Sequence, residues 1–240
     1  MRFFKSLMFI IFFLSLLVSF EPRVDGFEME KGERLTYSVR YLYVIPLGDA
    51  QIQIKDAVDS EGRRVFLIMC EAKTARWISF LFKAEAFAST YVDTVKLHPY
   101  KFEQVLKIAG KPDDIRRAAY DRVNNIMEAE GKGRRKVPSD VRDPISAIYY
   151  LRTQELKEGA EIKQFVNNNQ TNYIFDSKVI GKKKIGKFNC WVLDATSRRE
   201  NKTMYHNMDA VIYISDDNRR LPVLIQAATN LGLVTLRLKK

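Results

Sequence analysis

Glu33-Arg34-Leu35-Thr36-Tyr37-Ser38-Val39-Arg40-Tyr41-Leu42-Tyr43-Val44-Ile45 is the stretch whose reading decides the fold class. Leu35, Tyr37, Val39, Tyr41 and Tyr43 share one parity, and Arg34, Thr36, Ser38 and Arg40 the other. A period of two is the signature of a strand with one dry face and one wet face. Pro46-Leu47-Gly48-Asp49 interrupts it, and Ala50 to Lys55 resumes with Ile52 and Ile54 set against Gln51 and Gln53. The pair reads as a hairpin or a bent strand.

The same pattern continues outward. Arg64 to Lys73, Ala84 to Val92, Lys101 to Ile108, Ile115 to Arg122 and Asn125 to Glu130 read as strands, separated by turn signals such as Gly62, His98-Pro99 and Gly110 to Asp114. Lys132 to Asp140 is polar and basic and reads as a loop. The period then changes. Asp143 suits an N-cap, Pro144 the first helical position, and Ile145, Ile148, Tyr149 and Arg152 share a face, which predicts one amphipathic helix ending near Lys157. Glu161 to Val166, Asn172 to Ile180, Lys187 to Thr196, Met208 to Ser215, Leu221 to Thr229 and Leu233 to Lys239 return to strand character. The expectation is a mainly β chain with one central helix (α+β), folded as an antiparallel curved sheet or partial β-barrel.

The segment Arg76-Trp77-Ile78-Ser79-Phe80-Leu81-Phe82-Lys83 does not alternate. It fits a short helix or an apolar lip that either plugs the end of a barrel or serves a ligand. In the second case Trp77, Ile78, Phe80, Leu81 and Phe82 line the mouth of a lipid-sized cavity or touch a membrane, with Arg76 and Lys83 meeting anionic headgroups. Tyr37, Val39, Tyr41, Phe87, Tyr91, Ile148, Tyr149 and Tyr213 are assigned to the inward, ligand-facing surface.

The start of the chain reads as an address. Arg2 and Lys5 precede an apolar run from Leu7 to Phe20, about 14 residues, which fits the ~7–15 of a signal h-region and falls short of the ~20 of a membrane span. Residues 1–26 are therefore expected to be a Sec-type signal peptide, with an uncleaved inner-membrane anchor as the alternative. Residues 27–240 are expected to form one β-rich periplasmic domain. The formal net charge of +11 in 240 residues, placed outside the cytoplasm, points away from nucleic acid. It points toward anionic lipid surfaces or acidic envelope partners. Cys70 and Cys190 lie in apolar segments; they pair in an oxidising compartment or remain as two buried thiols, and their spacing makes neither a redox motif nor a metal site.

Little points to catalysis. GxSxG and HExxH patterns are absent, and the two histidines, His98 and His206, have no recognisable nucleophile nearby. Asp216-Asp217 invites an acid or metal reading, but Ser215-Asp216-Asp217-Asn218-Arg219-Arg220 suits a tight turn whose adjacent arginines neutralise it. No catalytic residue, metal site or cofactor is assigned, and the chain is expected not to be an enzyme.

Three stretches carry a resemblance. Gly32-Glu33-Arg34-Leu35-Thr36-Tyr37, then Asp143-Pro144-Ile145-Ser146 with Tyr149 and Leu151-Arg152, then Tyr213-Ile214-Ser215-Asp216-Asp217 through Arg219-Arg220-Leu221-Pro222-Val223, resemble an exported bacterial family, domain of unknown function 3108. Tyr213 departs from it, since the family pattern has tryptophan there. The resemblance implies a periplasmic location and a β-rich fold and carries no catalytic residues. An open barrel wrapped over a helix is also similar to the periplasmic lipoprotein carriers, whose concave faces hold acyl chains. From this come two functional expectations: an envelope protein that binds or shields a hydrophobic or lipid ligand, and a non-enzymatic interaction or scaffold protein that uses basic patches such as Lys182 to Lys184.

Overall fold

The alternation at the start of the chain is realised as β1 (Arg34–Tyr41), paired antiparallel with β2 (Ile45–Val58). The structure, a computed structural model, describes residues 29–168, 170–200, 208–229 and 232–239; residues 1–26, His206 and the rest of Asn201 to Asn207 lie outside that set. The meander goes on through β3 (Arg64–Thr74), β4 (Ala84–Asp93), β5 (Pro99–Ile108), β6 (Asp114–Asp121), β7 (Ile126–Ala129) and β8 (Gly133–Lys136). A helix, α1 (Ser146–Arg152), follows, the one helix among the described residues. The second half supplies β9 (Glu161–Asn168), β10 (Thr171–Ile185), β11 (Phe188–Arg199), β12 (Met208–Ser215), β13 (Pro222–Thr229) and β14 (Gly232–Leu238).

Among the described residues the 14 strands form one antiparallel sheet, in the order β8-β7-β6-β5-β4-β3-β2-β1-β14-β13-β12-β11-β10-β9. First and last strands pair, Tyr37 opposite Leu238 and Tyr41 opposite Val234, so two meanders are joined through the chain ends. The sheet does not close on itself, because β8 and β9 are its edges. That seam is managed by other means. The Gln170 side-chain amide donates to the carbonyls of Lys132 and Gly133 at 2.8 and 3.0 Å, and the Arg135 guanidinium donates to the Gln170 carbonyl. Farther along, Arg142 pairs parallel with Val166, its N–H bonding the Phe165 carbonyl at 3.0 Å while Asn167 N–H bonds the Arg142 carbonyl at 2.9 Å.

The helix fills the inside. All seven residues of α1 are buried, so it lacks the polar face expected of an amphipathic helix: a helix with no wet face belongs in a core. Asp143 does the capping foreseen for it, its Oδ1 accepting from Ile145 N–H at 2.7 Å and Ser146 N–H at 3.1 Å, but the helix proper begins at Ser146. Arg152 is its last residue rather than Lys157, because Thr153 and Gln154 N–H turn back three residues to Tyr150 and Leu151.

Parity is the second correction. In β4 the buried residues are Ala84, Ala86, Ala88, Thr90 and Val92, so Phe87 and Tyr91 stand on the outer face and do not point inward. Tyr213 is buried but lies on the face opposite Ile212, which shares its ladder with Ile225 and Leu236 of the inner surface; its hydroxyl meets Gln226 Oε1 at 3.1 Å. The outer cover over this part of the sheet comes from the β10–β11 hairpin. It shifts register between Val179 and Gly181, and its tip reaches the Arg237 side chain on β14, with Gly186 in the turn. The strand expected to end at Ile180 therefore runs on through a bulge at Gly181, and β8, foreseen as loop, is an exposed basic edge strand.

Candidate functional site

The three quoted motifs, far apart in sequence, meet inside the barrel. Arg152 on α1 donates to both carboxylate oxygens of Glu33, at 2.6 and 2.7 Å, with both side chains 1 % exposed. Tyr149 Oη approaches the same carboxylate at 3.5 Å, and Arg152 also donates to the Arg219 carbonyl at 2.8 Å. Arg220 donates back to the Gln154 carbonyl, while Asp217 Oδ1 accepts from Ser215 Oγ at 2.8 Å and from the N–H groups of Arg219 and Arg220 at 3.1 Å each. Burial pulls the Arg152 pKa down, and the Glu33 carboxylate more than offsets it, so the net shift is upward. Burial pushes the Tyr37 and Tyr149 hydroxyls above their usual range. At the other end of the helix, Asp143 Oδ2 accepts from Thr90 Oγ1 at 2.6 Å. The arrangement clamps α1 at both ends.

This cluster has the geometry of a lock. The Glu33 and Arg152 charges at its centre are sealed from water and meet one another. Asp216 pairs with Lys182 at 2.5 Å, not with the neighbouring arginines expected to neutralise it, and Asp217 serves the turn through backbone N–H groups. Burial, then the Arg142 and Arg122 charges, hold His98 down to about 3. Cys70 and Cys190 are unpaired buried thiols, and burial raises both, Cys190 to about 11. A raised thiol pKa suits packing, not nucleophilic attack. Among the described residues no group of three or more His, Cys, Asp or Glu side chains could hold a metal ion.

The inward candidates Tyr37, Val39, Ile148 and Tyr149 are brought together and fully packed, with Tyr41 half-buried on the same parity. A cavity of about 30 Å³ remains among Tyr37, Val39, Cys70, Ile148, Ile225 and Leu236, room for about one water molecule. A second, of about 40 Å³, lies among Val39, Leu47, Gly48, Ala72, Ala84, Ala86 and Leu106. The two share Val39, Ala72 and Ala86 and form a narrow apolar slot leading from one end of the barrel toward α1. Neither is the spacious trough expected from the alternating aromatics; a roomier concavity, open and about 900 Å³, lies elsewhere, among Arg63, Tyr91, Tyr100, Arg117, Tyr120 and Arg122. The sheet residues around the slot are small because the helix occupies the space that large ones would fill.

That end of the barrel carries the remaining candidates. Val44, Trp77, Phe80 and Leu81 are 70 %, 50 %, 79 % and 74 % exposed, joined by exposed Leu42, Tyr43 and Ile45, while Ile78 and Phe82 are half-buried behind them. Ile78 to Phe82 form consecutive helical turns, with Ser79 N–H on the Ala75 carbonyl at 3.1 Å and Phe82 N–H on the Ile78 carbonyl at 2.9 Å. Two bonds tie this loop to the β1–β2 hairpin: Trp77 Nε1–H to the Pro46 carbonyl at 2.9 Å and Ala75 N–H to the Leu47 carbonyl at 2.8 Å. The hairpin turn, with Val44 N–H on the Tyr41 carbonyl at 3.2 Å, places Leu42 and Tyr43 at φ 47° and 66°. Two successive positive φ values are the type I′ geometry for which Asn-Gly is the unstrained choice. Large L residues there are strained by about 1–2 kcal/mol each. The turn was missed in the sequence because its residues carry no turn signal.

The sequence matches the model of a family described as protein of unknown function (DUF3108) over residues 36–239. The chain belongs to that family. Curated proteins give no match. Among solved structures, a β-barrel-like protein of domain of unknown function DUF1849 from Brucella abortus is similar at 8 % identity and a TM-score of 0.54, over 86 % of this chain and 95 % of that one. A putative exported protein with a YmcC-like fold from Bacteroides fragilis covers 90 % of this chain and 99 % of its own at 8 % identity and a TM-score of 0.32. The DUF1849 likeness concerns the fold alone. For this DUF3108 protein, the barrel-like β architecture is thus shared in shape with a solved structure.

Proposed function

We propose that this DUF3108 protein is an exported, non-enzymatic component of the cell envelope that works by surface contact at the apolar, basic rim formed by the β1–β2 turn and the β3–β4 loop. The observation that carries the reading is a contrast: the cavities beside α1 measure only about 30 and 40 Å³, while the outside displays seven large apolar residues on two loops bonded to each other. A folded monomer rarely exposes such a patch without using it. The periplasm is the compartment proposed, on the strength of Met1 to Phe20.

A second reading has one observation in its favour. The slot shared by Val39, Ala72 and Ala86 is apolar and begins at the same rim, which suits the end of a hydrophobic chain if α1 shifts to admit it. Sedimentation of the protein with isolated envelopes separates the two. Under the rim reading, Phe80→Glu with Leu81→Glu lowers co-sedimentation below that of the parent chain and Ala86→Leu, which fills the slot, leaves it unchanged. Loss with Ala86→Leu, or undiminished retention of the Phe80→Glu/Leu81→Glu variant, contradicts it.

A further inference from the structure

We propose that the rim is a wedge that docks on a bilayer containing anionic phospholipid; this rests on the surface-contact reading above and names its partner. The apolar atoms are carried at loop tips. Val44, Phe80 and Leu81 project farthest, and the indole of Trp77 is held against the hairpin by its bond to the Pro46 carbonyl. Tips of this kind enter a fluid interface, whereas a protein partner calls for a broad complementary surface. The two loops are already tied together through Trp77 and Ala75, so little ordering is left to be done on docking.

Charge selects the lipid. Arg40, Arg76 and Lys83 flank the tips, are exposed, and form no ion pair among the described residues. Some arginines elsewhere on the surface are engaged, as Arg117 is with Glu103 and Glu130 at 2.9 Å each, and others such as Arg34 and Arg64 are exposed without an ion pair among the described residues; what sets the rim apart is the apolar tips beside its cations. Cations left unpaired beside apolar tips match phosphate headgroups lying above acyl chains. A second copy of the chain is disfavoured, since it would bring the same cations face to face in a molecule of net charge +11. Strain points the same way. Leu42 and Tyr43 hold a backbone geometry that Asn-Gly adopts freely, which is consistent with their side chains, not the turn itself, being what the hairpin is for.

The test uses the full chain with Trp191→Phe, which leaves Trp77 as the one tryptophan of the two in the sequence. Leu7 to Phe20 adds the same background to every variant, so the readout is Trp77 fluorescence, which reports on the rim itself. Vesicles of phosphatidylcholine, with and without phosphatidylglycerol, carry brominated acyl chains. The expected result is a blue shift and quenching of Trp77 with phosphatidylglycerol, weakened by salt. Affinity should fall roughly thirtyfold in Arg76→Gln/Lys83→Gln, and quenching should vanish in Phe80→Glu/Leu81→Glu, with thermal melts confirming that both variants fold. Absence of quenching on the phosphatidylglycerol vesicles overturns the proposal, as does quenching indifferent to Arg76 and Lys83. If Trp77 is not quenched while Phe80→Glu/Leu81→Glu still loses envelope binding, the surface-contact reading stands and a protein partner replaces the bilayer. If neither changes, both fall.

Discussion

Arg152 is 1 % exposed and tolerable only because Glu33 meets it with two charge-assisted bonds. Deleting one partner strands the other. Glu33→Leu should destabilise the fold by about 3–5 kcal/mol, and the double variant with Arg152→Leu should recover most of that loss; a denaturant double-mutant cycle with no coupling between the two sites would refute the lock. His98 supplies a pH signature. Its folded pKa is depressed from 6.5 to about 3 by burial and by the Arg142, Arg122 and Lys96 charges, with Asp93 opposing them. A depressed basic group contributes stability present above pH 6.5 and lost as pH falls toward 3. His98→Asn should flatten the stability profile in that window, and an unchanged slope would contradict the assignment. At this scale the sequence displayed Glu33, Tyr149, Arg152 and Asp217 within quoted motifs, yet it could not show that they meet. Glu33 and Arg152 are 119 positions apart, and no local periodicity records such a contact.

Strands were legible because a period of two survives in almost every one, but a period does not say which parity faces in. The aromatic alternation points Phe87 and Tyr91 inward, whereas Ala86, Ala88 and Thr90 hold the inner face of β4. The reason is α1: a sheet that wraps a helix needs short side chains beneath it. Ala88→Leu should therefore cost about 1–3 kcal/mol by overpacking, and Phe87→Ala should cost less, measured by urea midpoint; the reverse order would return Phe87 to the core. Edge strand β8 was illegible for a different reason. Its four residues are all exposed, and pairing with β7 alone makes them a strand. The β1–β2 turn gives the sharpest test at this scale. Leu42→Asn with Tyr43→Gly should raise stability by about 1–3 kcal/mol by relieving two positive φ values, seen as a higher melting temperature, while the rim loses apolar surface. A lower melting temperature would show that the turn is not strained.

The whole molecule resolves a conflict of scale. Fourteen strands in one curved sheet surround more space than side chains of the sheet alone fill. Here α1 fills the interior and the chain at Arg142 covers the edge of β9. Aromatic alternation announced a concave β protein correctly, but it was silent about the contents, because a strand has the same pattern whether its dry face meets ligand or helix. The account therefore places recognition on the rim and treats the inside as structure. Native mass spectrometry of the protein purified from its own envelope, followed by solvent extraction, tests this most directly. The account predicts the mass of the polypeptide alone and no stoichiometric lipid in the extract, whereas one lipid per chain, lost in Ala86→Leu, would contradict it.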